Sequence, residues 1–308
     1  MTTSSLIPKL LLLAPIMCFG QIKNNCLESK ITTYTNGQLV QEILKKYNKS
    51  NLLVAETKSV FNSISGNYTE ETILDYDKDG NNNSIVLKRN GNVFQEKTNQ
   101  FSKTKKLIQS SSKINNIITF RSILAADSLS REDIFFEENG TKEGSKEKVS
   151  FDISGKIIGK ELKNAQGQPL LKQSFSYNNS GKITSENTTD FSNNSTKTTT
   201  YSYNSSGKLL SEKTTFNNIL FAETKFVYDS NNNLNKTIRL NDKGGEEYSY
   251  IYEYNSKGYI SKEIYFYGKQ QMSSHLYEYD NFGNIIKETI LDRTGKVFSE
   301  VKREFICL

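Results

Sequence analysis

One short pattern recurs through most of this chain: an aromatic residue, then Asp or Asn, then Gly three positions further on. Tyr279-Asp280-Asn281-Phe282-Gly283 is the fullest copy. Earlier anchors stand at Tyr254, Tyr228 (with Asn232 at the Gly position), Tyr203, Tyr177 and Phe151, each 25 or 26 residues before the next. Tyr76 lies three periods of 25 before Phe151, and steps of that length land on weaker copies at Phe101 and Ala126. Tyr47 opens an earlier unit at a looser spacing. A unit this short cannot bury a core of its own, so copies must stack on one another.

The interior of the unit indicates strands. Six residues after the anchors stand Ile157, Ile183, Leu209, Leu234, Ile260 and Ile285; two residues before them stand Val149, Phe175, Tyr201, Phe226, Tyr252 and Tyr277. Side chains alternate along a strand, so positions −2 and 0 share a face, and the aliphatic at +6 returns opposite them. The Asx-x-x-Gly insert carries turn chemistry, because Asx caps the backbone and Gly accepts positive φ. Weaker turns fall near Asn164–Gly167, Ser192–Ser195, Asn217-Asn218, Asn241–Gly244 and Asp292–Gly295. β-branched and aromatic residues broken by turns every dozen positions disfavour helix. The expected fold is all-β, a repetitive antiparallel β-hairpin meander with about two strands per 25–26-residue unit. The array is expected over residues 76–308, capped by residues 21–75.

Composition agrees with a thin core. The residues AVILMFWYC make up 35%, against about 45–50% for the apolar set of an ordinary globular chain. That excludes a thick doubly wound or TIM-type core. Aromatics at 11% argue against disorder. The net charge of +6 is spread over interleaved Lys and Glu, without the basic stripe that a nucleic-acid surface needs.

Residues 1–20 read as a secretory signal: Lys9, the apolar run Leu10–Met17, then Cys18-Phe19-Gly20 before Gln21. The run is too short for a membrane span, which takes about 20 residues. No transmembrane segment is expected elsewhere. Pro15-Ile16-Met17 is a poor lipobox, so cleavage after Gly20 is preferred to acylation of Cys18. The expected location is therefore periplasmic, cell-surface or secreted. Two mature cysteines remain, Cys26 and Cys307. They could bridge the chain ends, stay as buried thiols, or pair with another molecule.

The unit Y-D-N-F-G-N-I-I-K-E-T-I-L-D-R-T-G-K, Tyr279 to Lys296, resembles a YD repeat of the RHS class. The resemblance extends from Tyr76 to the C-terminus. It implies an exported or surface-associated β-hairpin array, sometimes linked to carbohydrate binding; in large members the array is a shell around a toxin. This chain is short and carries nothing after the last repeat to serve as a toxin domain, so the enclosing role is not expected. The Asn- and Lys-rich composition and a leader ending Phe-Gly-Gln are also similar to exported Bacteroidetes proteins.

Little in the sequence indicates catalysis. A single histidine, His275, falls on a strand and reads as structural, and His/Cys zinc sites lack ligands. Glycines are single turn residues, so no phosphate loop is present. Glu246, Glu247, Glu253 and Glu263 are material for a carboxylate pair. Asp75, Asp77, Asp79 and Asn81 place oxygens at alternate positions around Gly80, as a calcium loop does, but Val86 stands where the twelfth-position acid belongs. No other cofactor is indicated. Tyr248, Tyr250, Tyr252 and Tyr254, with Tyr265 and Tyr267 on the next strand, form a candidate binding face for sugar rings or a protein partner. The functional expectation is a non-enzymatic exported protein that binds glycan or an envelope or surface protein. The alternative is an envelope glycan hydrolase using paired carboxylates. A membrane barrel is disfavoured, because Ser261-Lys262-Glu263 and Lys287-Glu288-Thr289 interrupt any lipid-facing band.

Overall fold

A computed structural model describes residues 26–307, apart from residues 62 and 65. The proposed leader and Cys18 lie outside the described residues. Within them the chain is one 22-stranded antiparallel sheet, from Cys26–Thr35 (β1) to Val297–Cys307 (β22). Each strand pairs with the next in sequence, and β1 also pairs with β22 from Cys26 opposite Cys307 to Thr35 opposite Ser299. That last ladder closes the meander into a barrel and removes both open edges. The all-β hairpin meander expected from the repeat is the observed fold.

Each anchor does two structural jobs. The register shifts immediately before Tyr47, Tyr76, Phe101, Phe151, Tyr177, Tyr203, Tyr228, Tyr254 and Tyr279. Further shifts fall near the opposite rim, as at Leu162/Lys163, Thr214/Thr215 and Arg239/Leu240. A bulge bends its strand and raises local twist, so these recurring shifts curve the sheet progressively towards closure. The anchor then stands opposite the +6 aliphatic: Tyr177 faces Ile183, Tyr254 faces Ile260 and Tyr279 faces Ile285.

The second job joins repeats. The anchor hydroxyl donates to the backbone carbonyl of the preceding unit: Tyr177 to Ile157, Tyr203 to Ile183, Tyr228 to Leu209, Tyr254 to Leu234 and Tyr279 to Ile260, at 2.6–2.9 Å. Tyr47 and Tyr76 do the same to Glu28 and Leu53. Each such bond contributes about 0.5–1.5 kcal/mol net. A lysine one position after the turn glycine adds a second link. Lys156, Lys182 and Lys208 lie over the rings of Tyr177, Tyr203 and Tyr228 at 5.0–5.4 Å. Lys182 and Lys208 also donate to the carbonyls of Gly207 and Asn232 in the next turn. In the last units Tyr259 replaces lysine and stacks on Tyr279 at 4.9 Å. There Gly283 (φ 89) is required twice over: by its backbone, and because a Cβ would lie 2.5 Å from the Tyr259 hydroxyl.

The Asx turns form as expected. Asp280 Oδ1 accepts from the Phe282 and Asn284 amides, and Asp152 Oδ1 accepts from Ser154 and Lys156. The weaker turns at Asn164, Asn241 and Asp292 use the same geometry. One unit differs from the fixed step. The turn read at Ala126 starts at Ala125, with positive φ at Ser128, so Leu124 occupies the anchor position. The residues read as a cap continue the same sheet, and Asn48 caps its turn as the later Asx residues do.

The two faces differ. In β12 (Pro169–Tyr177), Leu171, Gln173, Phe175 and Tyr177 are half-buried, whereas Lys172, Ser174 and Ser176 are exposed. The same alternation recurs in β14 (Ser195–Tyr203) and β16 (Ile219–Tyr228). Curvature crowds inward side chains and splays outward ones, so the anchor face lines the lumen. A barrel of this strand number is too wide for its own side chains to fill. Few side chains are accordingly fully buried, Val149 and Ser249 being the largest.

Candidate functional site

The tyrosines proposed as a binding face divide into distinct roles. They lie on β18 (Glu246–Tyr254) and β19 (Ile260–Tyr267), where Tyr250 is opposite Tyr265 and Tyr248 opposite Tyr267. Tyr254 is an anchor, its hydroxyl spent on Leu234. Tyr252 is 4% exposed, and burial pushes its phenol far above the ordinary range. Tyr267 is 59% exposed at the rim. Tyr248, Tyr250 and Tyr265 form a cluster. Tyr250 stacks on Tyr265 at 5.1 Å and 27°, and Tyr248 meets both edge-on at 6.1 and 6.3 Å. Among the described residues, none of the three hydroxyls makes a hydrogen bond. Burial pushes the Tyr250 phenol up to about 12, so it stays a neutral donor and acceptor.

These three tyrosines line a cavity of about 850 Å³ with Phe216, Arg239 and Asn241. It opens at the rim opposite the Tyr-Asp turns, beside the Asn217-Asn218 hairpin and the turn after β17 (Leu234–Asn241). Asp242 and Glu247 stand exposed at its mouth. The site is thus an aromatic wall with free hydroxyls, one cation and rim carboxylates.

A row of charged groups continues from it along the lumen face. Glu263, opposite Tyr252, is also opposite His275. His275 Nδ1 lies 2.9 Å from Glu288 Oε1. Arg303 reaches Glu288 at 3.5 Å and Glu28 at 3.4 Å, and Lys45 reaches Glu28 at 2.5 Å. The row therefore spans the closing ladder between β22 and β1. The hydrogen bond that His275 donates to Glu288 raises His275 above its usual value, and the same bond holds Glu288 below the usual carboxylate value. Burial raises Glu263.

His275 falls on a strand, as the sequence indicates, and is half-buried within this ionic row. Of the four candidate carboxylates, Glu246 pairs with Lys236 at 3.4 Å and Glu253 with Lys262 at 3.6 Å. Glu247 sits at the cavity mouth, so the four do not converge. Glu263 has Glu288 and His275 as its neighbours, and neither Glu288, Arg303, Glu28 nor Lys45 carries a sequence signal. The Lys after the turn glycine does: Gly155-Lys156, Gly181-Lys182 and Gly207-Lys208 repeat with the period.

The calcium-like residues make an ordinary Asx turn. Asp77 Oδ1 accepts from the Asp79 and Asn81 amides, its Oδ2 accepts from Asn81 Nδ2, and Asp79 pairs with Lys105 at 3.5 Å. Hydrogen bonds from Asn81 hold Asp77 below its usual value. Among the described residues no three His, Cys, Asp or Glu side chains gather as a metal site. Cys26 is disulfide-bonded, and its ladder partner is Cys307. No helix of the described residues is long and apolar enough to cross a membrane.

A closed antiparallel β-repeat shell with an aromatic cavity at one mouth is the class these observations define. Residues 128–297, more than half of the chain, match the Teneurin YD-shell family, and the chain belongs to that family. Among solved structures, the TcdB2-TccC3-TEV structure aligns at 13% identity and TM-score 0.34, over 85% of this chain but 16% of that one. A porin-like protein from Bacteroides uniformis ATCC 8492 aligns at 10% identity and TM-score 0.34, over 91% of this chain and 98% of that one. A search of curated proteins finds no match to the chain.

Proposed function

We propose that this shell is an exported, non-enzymatic binding protein of the cell envelope or surface that holds glycan in the cavity at its mouth. The observation that carries this reading is the Tyr250–Tyr265 stack with unbonded hydroxyls inside the cavity. Anchor tyrosines spend their hydroxyls on the preceding repeat, whereas these offer an apolar ring for a sugar face and free groups for its hydroxyls. The outward pairs Lys262–Glu253 and Lys287–Glu278 suit a solvated exterior; a lipid-facing band would have to desolvate them. Residues 21–308 and their Tyr250→Ala variant, run on a glycan array with and without calcium, test the reading. It expects a glycan signal that the variant loses at unchanged circular dichroism. Failure of the folded wild type to bind any glycan overturns it in favour of a protein partner.

A second reading, glycan hydrolysis, is favoured by Glu263 and Glu288. They flank His275, and their pKa values are displaced in opposite directions, which is the division of labour that acid–base pairs use. It predicts release of reducing ends that Glu263→Gln and Glu288→Gln each abolish. Bound glycan left intact by wild-type protein excludes it.

A further inference from the structure

Arginines on the lumen face are consistently neutralised, with one exception. Arg89 pairs with Glu70 at 2.6 Å, Arg131 with Asp133 at 2.7 Å, and Arg303 with Glu28 and Glu288. Arg239, on the same face, has no carboxylate partner among the described residues. Among the described residues its only side-chain hydrogen bond runs from a terminal guanidinium nitrogen to Thr224 Oγ1, at a long 3.4 Å. It is half-buried and stands opposite Tyr248 in the cavity wall. A guanidinium held part-way out of water without an anion is a fork left open, and its five donors match a carboxylate in the bidentate manner.

We infer that the cavity takes an acidic saccharide, a hexuronate unit whose carboxylate is held by Arg239 while its ring lies against the Tyr250–Tyr265 pair. The inference rests on the glycan-binding reading and adds the chemical class of the ligand. A hexopyranuronate carries its carboxylate directly on a ring carbon, so one wall must offer an aromatic plane and a cation side by side. Arg239 and Tyr250 flank the same stretch of lumen, Arg239 opposite Tyr248 and Thr237 opposite Tyr250 on adjoining strands. Asp242 and Glu247 are exposed at the mouth, where water screens their repulsion and sugar hydroxyls can donate to them. The half-buried guanidinium is screened less.

The test is calorimetric titration of residues 21–308 with oligogalacturonate, oligomannuronate and hyaluronan oligomers, each beside its carboxyl-reduced neutral counterpart and beside a sulfated oligosaccharide. Arg239→Gln, Arg239→Lys, Tyr250→Ala and the outer-face variant Lys172→Gln are compared after each is shown to keep the wild-type melting temperature. At least one uronate is expected to bind about tenfold or more tighter than its reduced form, the magnitude of a charge-assisted bond. Arg239→Gln should erase that preference while keeping weak binding of the neutral form, Arg239→Lys should restore it in part, and Tyr250→Ala should weaken both forms. Lys172→Gln removes the same unit of charge and should change nothing, which separates a built site from general attraction to a chain of net charge +6. Equal binding of acidic and neutral forms overturns the inference and leaves glycan binding standing. An Arg239-independent preference, or a preference for sulfate over carboxylate, also overturns it. No binding to any saccharide removes the underlying reading as well.

Discussion

The Tyr279 hydroxyl donates to the Ile260 carbonyl at 2.6 Å, tying the last Tyr-Asp turn to the unit before it. The same bond recurs at Tyr254, Tyr228, Tyr203 and Tyr177, so the anchor tyrosine is a fastener between repeats. Tyr279→Phe keeps the ring and orphans the carbonyl. It should lower stability by about 0.5–1.5 kcal/mol in urea denaturation. Tyr250→Phe, which removes a hydroxyl without a partner, should leave stability within about 0.5 kcal/mol of wild type. Equal costs at the two positions would contradict the division between fastening and binding tyrosines.

The lysine after the turn glycine makes a second fastener. Lys182 covers the Tyr203 ring and bonds the Gly207 carbonyl. Lys182→Met should cost about 1 kcal/mol from the cation–π contact and the lost bond. Lys172→Met, on the exposed outer face, should cost nothing measurable. The melting temperatures of the two variants provide the check.

Acidity acts on the seam through His275 and Glu288. A histidine raised above 6.5 by its partner contributes stability that is whole below that value and is lost as pH rises through the folded pKa. A carboxylate lowered below 4.5 contributes stability present above that value and lost as pH falls through its folded pKa. The pair is therefore most effective between the two, and stability should decline from about pH 6.5 upward. His275→Gln should flatten that alkaline decline in denaturation curves taken between about pH 5 and 9. An unchanged slope would show that the pair does not titrate with folding.

Repeat grammar explains how much could be read in advance. Tyr279, Ile285 and Gly283 recur with a fixed period, so strands, turns and the shared face follow from spacing alone. Leu124 shows the limit: where the aromatic is lost, Asp127 and the positive φ of Ser128 set the turn, two residues from where the period points. Closure was not legible, because it joins β1 and β22, which share no motif. The ionic row was illegible in part for the same reason. His275, Glu288 and Arg303 come from three successive strands and Glu28 and Lys45 from the first two, and only the closing ladder makes the two groups neighbours. The cavity tyrosines lay between the two cases. Their types and spacing were visible, but which hydroxyls were already spent depended on the bond each anchor makes to the unit before it.

The chain ends offer a covalent check. Cys26 is disulfide-bonded and lies opposite Cys307 in the closing ladder. A non-reducing peptide map of the protein should join the peptides that hold Cys26 and Cys307, and reduction should cost about 2–4 kcal/mol. Free thiols, or a bond to a second molecule, would contradict that pairing.

The tyrosine face is a lumen only if β1 pairs with β22. Amide hydrogen exchange of the intact chain measures that ladder directly. Closure predicts that amides from Ile31 to Thr33 and from Val301 to Arg303 are protected as strongly as those of β14 and β18, since no strand is an edge. Rapid exchange of alternate amides in both end strands, with the interior strands still protected, would describe an open sheet and contradict the account.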